Sequence, residues 1–134
     1  MSVQSSFRLA ALATALLVAI CGQVAAQERW AAIAPNLENT ASVVWATTKE
    51  QAKKLALLAC KDSSSTCSET PASTNRMSDT FAVMCCTNPQ KACAAAVAKD
   101  RSSALKEVKK LFSDNGFERC SLKSYFKAGT GEKG

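Results

Sequence analysis

The stretch "FAVMCCTNPQKAC" places three cysteines, Cys85, Cys86 and Cys93, within nine residues of a 134-residue chain that holds seven cysteines and no histidine. Thiols so crowded can hold a metal, run redox chemistry or cross-link the chain. Structural zinc favours mixed Cys and His ligands and a C-x₂₋₄-C pair that brings two sulfurs to one ion. Here the close cysteines are adjacent or have six residues between them, and no imidazole can complete a set. A dithiol redox centre of the thioredoxin kind needs C-x-x-C, which is absent. Cross-linking is the reading that remains. Neither a metal nor any other cofactor is implied.

Other catalytic groups are sparse. Without histidine there is no Ser-His-Asp or Cys-His mechanism and no His-ligated metal. A lysine of lowered pKa can still activate a serine, and S-x-x-K occurs at Ser103/Lys106 and Ser124/Lys127. Two matches are what chance supplies to a segment with 12 Ser and 12 Lys after residue 26. Asp114 and Glu118 flank Gly116, close enough in sequence to consider a carboxylate pair of the glycosidase type. Their plainer reading is two solvated charges at a helix end. None of the five glycines forms a phosphate-binding loop.

The N-terminus explains the odd cysteine count. "MSVQSSFRLAALATALLVAICGQVAAQ" has one cation, Arg8, then an apolar run from Leu9 to Cys21, then a polar piece closing on Val24-Ala25-Ala26. That is the pattern of a secretory signal peptide, with cleavage expected after Ala26. The run is about a dozen residues, short of the roughly 20 that cross a bilayer as a helix. A lipid anchor on Cys21 would need a small residue before it, and Ile20 stands there. Cleavage leaves Cys60, Cys67, Cys85, Cys86, Cys93 and Cys120, an even set bound for an oxidising compartment, periplasmic or extracellular. Six cysteines allow fifteen pairings. Neighbours on a strand point to opposite faces, so Cys85 and Cys86 need different partners. One could close onto Cys93 and the other reach Cys120, with Cys60 to Cys67 as a short loop. Each bridge contributes about 2–4 kcal/mol, a large share of a small domain's net stability.

These residues must be carried by a single domain, residues 27–128. Two segments overlay: at an offset of 51, Trp30 meets Phe81, Ile33 meets Met84 and Ala41 meets Ala92. With a two-residue gap further on, Cys67 meets Cys120. The overlay predicts an α+β fold of two similar β-β-α-β units, about 30–67 and 81–126, forming one antiparallel-sheet domain with two packed helices. Val43, Val44 and Trp45 are strand formers within Ser42 to Ala46. Thr47 with Glu50 is a capping box for the first helix, whose buried stripe would be Ala52, Leu55, Ala56 and Ala59. The second helix should start near Asp100, bury Ala104, Leu105, Val108, Leu111 and Phe112, and end at "SDNG" with Gly116 in a left-handed turn. In "FERCSLKSYF", alternation predicts Cys120, Leu122 and Phe126 on one face and Arg119, Ser121 and Lys123 on the other. The Ser/Thr-rich connector, 61–80, should be exposed, and 129–134 should be a frayed tail.

"WAAIA", followed by a strand and by "KEQAKKLALLAC", resembles a family of small secreted bacterial domains labelled domain of unknown function four-one-eight-nine. The resemblance covers Trp30 to Cys67, with "ACAAAVA" as a second anchor. The chain departs from that pattern where Leu111 and Phe112 stand in place of a helix-ending cysteine. The resemblance implies an exported, cysteine-bonded α+β domain and carries over no catalytic residue.

Charge bounds the partners. The chain carries a formal +6, one less after loss of Arg8, which favours acidic proteins or anionic envelope components. Lys99, Ser103, Lys106 and Lys110 share a helical face with Lys109 beside them, a candidate basic binding surface. No aromatic residues interleave with these lysines, which disfavours nucleic acid. The expectation is therefore a non-catalytic binding protein of the cell envelope, of inhibitor or immunity type, with no transmembrane segment in the mature chain. Its rivals are a small hydrolase using carboxylates or Ser-Lys, and a structural envelope component.

Overall fold

The structure, a computed structural model, describes residues 28–134; the expected leader, 1–26, lies outside the described residues. Eight elements follow in order: β1 (Trp30–Ile33), β2 (Val44–Ala46), α1 (Lys49–Ser63), β3 (Ala72–Thr74), β4 (Thr80–Asn88), β5 (Ala92–Ala98), α2 (Arg101–Asp114) and β6 (Glu118–Lys127). The fold is α+β, and β-β-α-β occurs twice. The strands divide into two antiparallel three-stranded sheets ordered β2-β1-β3 and β5-β4-β6. In each, the first strand of the unit is central, flanked by its hairpin partner and by the strand that follows the helix.

Alternation along the two central strands builds the layers. Ala31 and Ile33 join Phe81, Val83, Ala95 and Phe126 in the core between the sheets. Ala32 and Ala34 point the other way, onto Ala52, Ala56 and Cys60 of α1. Ala82, Met84 and Cys86 likewise meet Ala104, Val108 and Phe112 of α2. The result is four layers, helix, sheet, sheet, helix. Because both faces of β1 and β4 are covered, "AAIA" and "FAVMCC" are apolar at every position rather than at every second one.

The helices begin at side-chain caps. Thr48, not Thr47, caps α1, its Oγ1 accepting from the Gln51 amide at 3.2 Å. Asp100 caps α2, accepting from the Ser103 amide at 2.8 Å. At the other end Asn115 caps α2, and Gly116 takes the left-handed φ of +77°. Both buried stripes are narrower than expected: Ala52, Ala56 and Cys60 on α1, and Ala104, Val108 and Phe112 on α2. Leu55 and Leu111 remain 44% and 45% exposed, and Ala59 is exposed too. Each helix meets a single sheet face, so only an i, i+4, i+8 row is enclosed, with Leu57 and Leu105 half-buried beside it.

The sequence overlay was one residue out of register. Equivalent faces match when Ala31 and Ile33 are set against Phe81 and Val83, an offset of 50. From the second strand onward the offset is 52: Thr48 against Asp100 and Ala52 against Ala104. An offset of 51 instead sets Ile33, between the sheets, against Met84, under α2. A slip of one residue exchanges the faces of a strand. Cys67 and Cys120 are not equivalents either. The counterpart of Cys60 is Phe112, which packs edge-on against Phe117 at 5.3 Å. An aromatic pair thus pins the end of α2 where a cysteine pair pins the end of α1.

Three further expectations change. A bulge shifts the β4–β6 register between Val83 and Met84, so Val83 faces Ser124 while Met84 faces Leu122. The extra residue, Lys123, reverses the alternation. Phe126 therefore lies between the sheets with Phe81, on the face opposite to that of Cys120 and Leu122. The connector is not wholly exposed: Ala72–Thr74 is β3, paired with β1, and the buried Thr74 hydroxyl donates to the buried Asp79 carboxylate at 2.7 Å. The last residues fold back as a turn, with Tyr125 and Gly134 exchanging backbone hydrogen bonds of 3.0 and 2.8 Å. Lys127 N–H also donates to Glu132 O at 3.0 Å. Gly131, at φ +71°, lies against the Trp45 ring, and Trp45 Nε1 donates to Ala128 O at 2.8 Å.

Candidate functional site

The sulfur atoms form three pairs at disulfide distance, Cys60 with Cys67, Cys85 with Cys93 and Cys86 with Cys120. Cys85 and Cys93 are direct neighbours across the β4–β5 ladder, as are Cys86 and Cys120 across β4–β6. The two adjacent cysteines thus tie β4 to both of its neighbours. The third pair ties the buried end of α1 to the loop after it. A polar clasp lies beside that loop: the Thr66 and Ser64 hydroxyls donate to Glu38 Oε2 at 2.6 and 2.8 Å. The Thr66 hydroxyl, then the Ser64 hydroxyl, holds the Glu38 carboxyl below the usual range. All six described cysteines are consumed in cross-links, so none is a free thiol or thiolate ligand. Among the described residues no group of three or more Cys, Asp and Glu side chains converges as a metal site.

Neither Ser-Lys candidate shows a hydrogen bond between its two side chains among the described residues. Ser124 is buried and its hydroxyl reaches Asn39 Oδ1 at 3.4 Å, whereas Lys127 is exposed and paired with Glu132 at 3.5 Å. Ser103 sits half-buried in the first turn of α2, and Lys106 is exposed. The carboxylates Asp114 and Glu118 are exposed and engaged separately, by Lys110 at 2.6 Å and by Asn88 Nδ2 at 3.3 Å.

The basic helix face is present but not uniform. Lys99, Lys106, Lys109 and Lys110 are all exposed. Lys110 is neutralised by Asp114 one turn on, and that hydrogen bond raises its pKa. Ser103 falls on the same side, half-buried. Lys106 and Lys109 make no salt bridge among the described residues.

A second group of cations was not singled out from the sequence. Arg101, Lys127 and Lys133 surround a crevice of about 90 Å³ with Tyr125 at its wall. Arg101 stacks on the Tyr125 ring at 5.1 Å, and Lys133 lies 6.0 Å from the centre of Phe126. The turn of the last residues brings Lys133 there, so only the folded chain assembles the group. Counting charge by halves would have pointed to the region. Residues 28–90 carry six cations and six anions, and residues 91–134 carry ten cations and five anions. All of the net positive charge of the described residues therefore belongs to the segment 91–134, which carries β5, α2, β6 and the final turn.

Comparison with known proteins adds no kinship: no family model, no curated protein and no solved structure matches this chain. The class that the structure defines is a cross-linked α+β domain of two like-connected units. Among the described residues no helix is long and apolar enough to cross a membrane.

Proposed function

We propose that this chain is an exported, disulfide-stapled binding module of the cell envelope, of inhibitor or immunity type, that recognises an acidic protein or an anionic envelope component without acting chemically upon it. Kinship with the domain-of-unknown-function family named above belongs to the same proposal. The observation that carries it is the confinement of the net charge of residues 28–134 to the segment 91–134. A neutral half and a half with ten cations against five anions form a polar surface that steers anionic partners to one side. Three cross-links support the reading, because they hold that surface in one conformation and lower the ordering cost of association. They also suit an oxidising compartment.

The test is affinity capture from envelope extract at low salt with three proteins: wild type, Lys106→Glu/Lys109→Glu, and Lys53→Glu/Lys54→Glu. The partner should be retained by the wild type and by the Lys53/Lys54 variant, and lost from the Lys106/Lys109 variant. Bound material should elute as salt rises, since exposed charge pairs are screened within a Debye length of about 8 Å at 0.15 M. Equal capture by all three proteins, or capture that salt does not weaken, refutes the proposal.

A further inference from the structure

Arg101 is the first residue of α2, and its guanidinium is held in place without an ion pair. It stacks on the Tyr125 ring at 5.1 Å. Gly134 lies beside it, where a Cβ would collide with Arg101 Nη2. Yet no carboxylate forms a salt bridge with Arg101 among the described residues. A planar fork fixed in this way is prepared for a carboxylate, which it can meet through two parallel hydrogen bonds.

Strand register builds the floor of the crevice beside Arg101. Thr80 stands opposite Lys127 across β4–β6, and Ala82 opposite Tyr125. The backbone hydrogen bonds of the final turn set Glu132 beside Lys127 and Gly134 beside Tyr125. Opposed residues share a face, and Ala82 packs on α2. Thr80, Tyr125, Lys127 and Glu132 are therefore on the α2 side, around Arg101. Lys133 alternates to the other face, toward Phe126, and meets the crevice at its rim. The volume, about 90 Å³, is far below the roughly 300–1,000 Å³ of a site that encloses a whole small ligand. It suits one functional group at the end of a longer chain. Lys127 is matched by Glu132 at 3.5 Å, which leaves Arg101 as the cation to be balanced there. A carboxylate balances it, whereas a phosphate dianion would set a second negative charge beside Glu132.

We propose that this crevice receives one carboxylate side chain of an acidic partner protein, held by the Arg101 fork, with the Thr80 hydroxyl in the same wall. The proposal rests on the reading of the chain as a binding module and gives that module an anchoring residue, Arg101, distinct from the α2 lysines. The Tyr125 ring and Gly134 fix the guanidinium before the partner arrives, so little side-chain freedom is lost on binding. Glu132 competes for Lys127 and so moderates the affinity.

The probes are blocked pentapeptides, Gly-Gly-X-Gly-Gly with X as Glu, Gln or phosphoserine. They are titrated into the oxidised protein at about pH 7, where phosphoserine is close to doubly charged. Binding is followed by amide and arginine side-chain chemical shifts. The Glu peptide should move the signals of Thr80, Arg101, Tyr125 and Lys127, and the Gln peptide should leave them in place. Arg101→Gln should weaken the Glu peptide about tenfold or more. Glu132→Gln, which frees Lys127, should strengthen it about two- to fivefold. Both residues are exposed, so neither substitution puts the fold at risk. Equal binding of the Glu and Gln peptides, tighter binding of the phosphoserine peptide, shifts centred on Lys106 and Lys109, or unchanged affinity in either variant would each overturn the carboxylate site. These titrations use purified protein and defined peptides. The crevice can therefore fail while capture through Lys106 and Lys109 succeeds, and the reverse.

Discussion

Removing the Cys86–Cys120 bridge should destabilise the domain more than removing Cys60–Cys67. Cross-links act largely on the unfolded chain, by an amount that grows with the logarithm of the loop they close. Cys86 and Cys120 are 34 residues apart, and Cys60 and Cys67 are 7 apart. At 25 °C these loops correspond to about 3.8 and about 2.4 kcal/mol. The intact Cys85–Cys93 bridge shortens the longer path to roughly 28 residues, which trims its figure to about 3.6 kcal/mol. The expected difference is therefore about 1.2 kcal/mol, or about 5–10 °C in Tm for a domain of this size. Packing contributes little to the comparison, because Cys86 and Cys60 are both buried, at 1% and 4% exposure, and each partner is more exposed. The assay is urea unfolding of wild type, Cys86→Ala/Cys120→Ala and Cys60→Ala/Cys67→Ala, without reductant, followed by tryptophan fluorescence. If the Cys60/Cys67 variant proves as destabilised as the other, or more so, the loop-entropy reasoning is wrong for this fold.

Phe112→Ala should cost about 3–5 kcal/mol, because Phe112 is 5% exposed and packed on Phe117; Leu111→Ala next to it should stay within about 0.5 kcal/mol, both by urea titration. Thr48→Ala should cost about 1 kcal/mol through loss of the α1 cap, and Thr47→Ala much less. Gly131→Ala should destabilise by about 1–2 kcal/mol and alter tryptophan emission, since its left-handed backbone disfavours a Cβ that would also sit 3.0 Å from the Trp45 ring. Acid should weaken the fold through Glu38 and Asp100, whose pKa values are lowered chiefly by the Thr66 hydroxyl and by the Ser103 amide. A depressed carboxylate contributes stability that is whole above its unfolded pKa, near 4, and is lost as pH falls through the lower folded value. Asp100→Asn should therefore flatten the decline of Tm below pH 4, and an unchanged slope would show that the cap carries none of it.

What could be read before folding was whatever depends on local periodicity and chemical type. The β-β-α-β order, the Asp100 start and the Gly116 end of α2 follow from caps, stripes and turn residues that act within a few positions. Spacing and the missing histidine pointed to cross-links, and neighbouring cysteines on one strand must have separate partners wherever that strand lies. Pairing Cys85 with Cys93 and Cys86 with Cys120, rather than the reverse, was decided by strand register, which sets Cys93 opposite Cys85 and Cys120 opposite Cys86. Burial needed the layers: Leu55 and Leu111 match an apolar helix pattern, yet a helix laid on one sheet encloses only one row. The bulge that turns Phe126 away from the face of Cys120 is a property of two strands in register, not of either alone. The crevice of Arg101, Lys127 and Lys133 likewise arises from residues distant in sequence. A chain encodes its local geometry position by position, whereas a surface exists only once other segments have covered the rest.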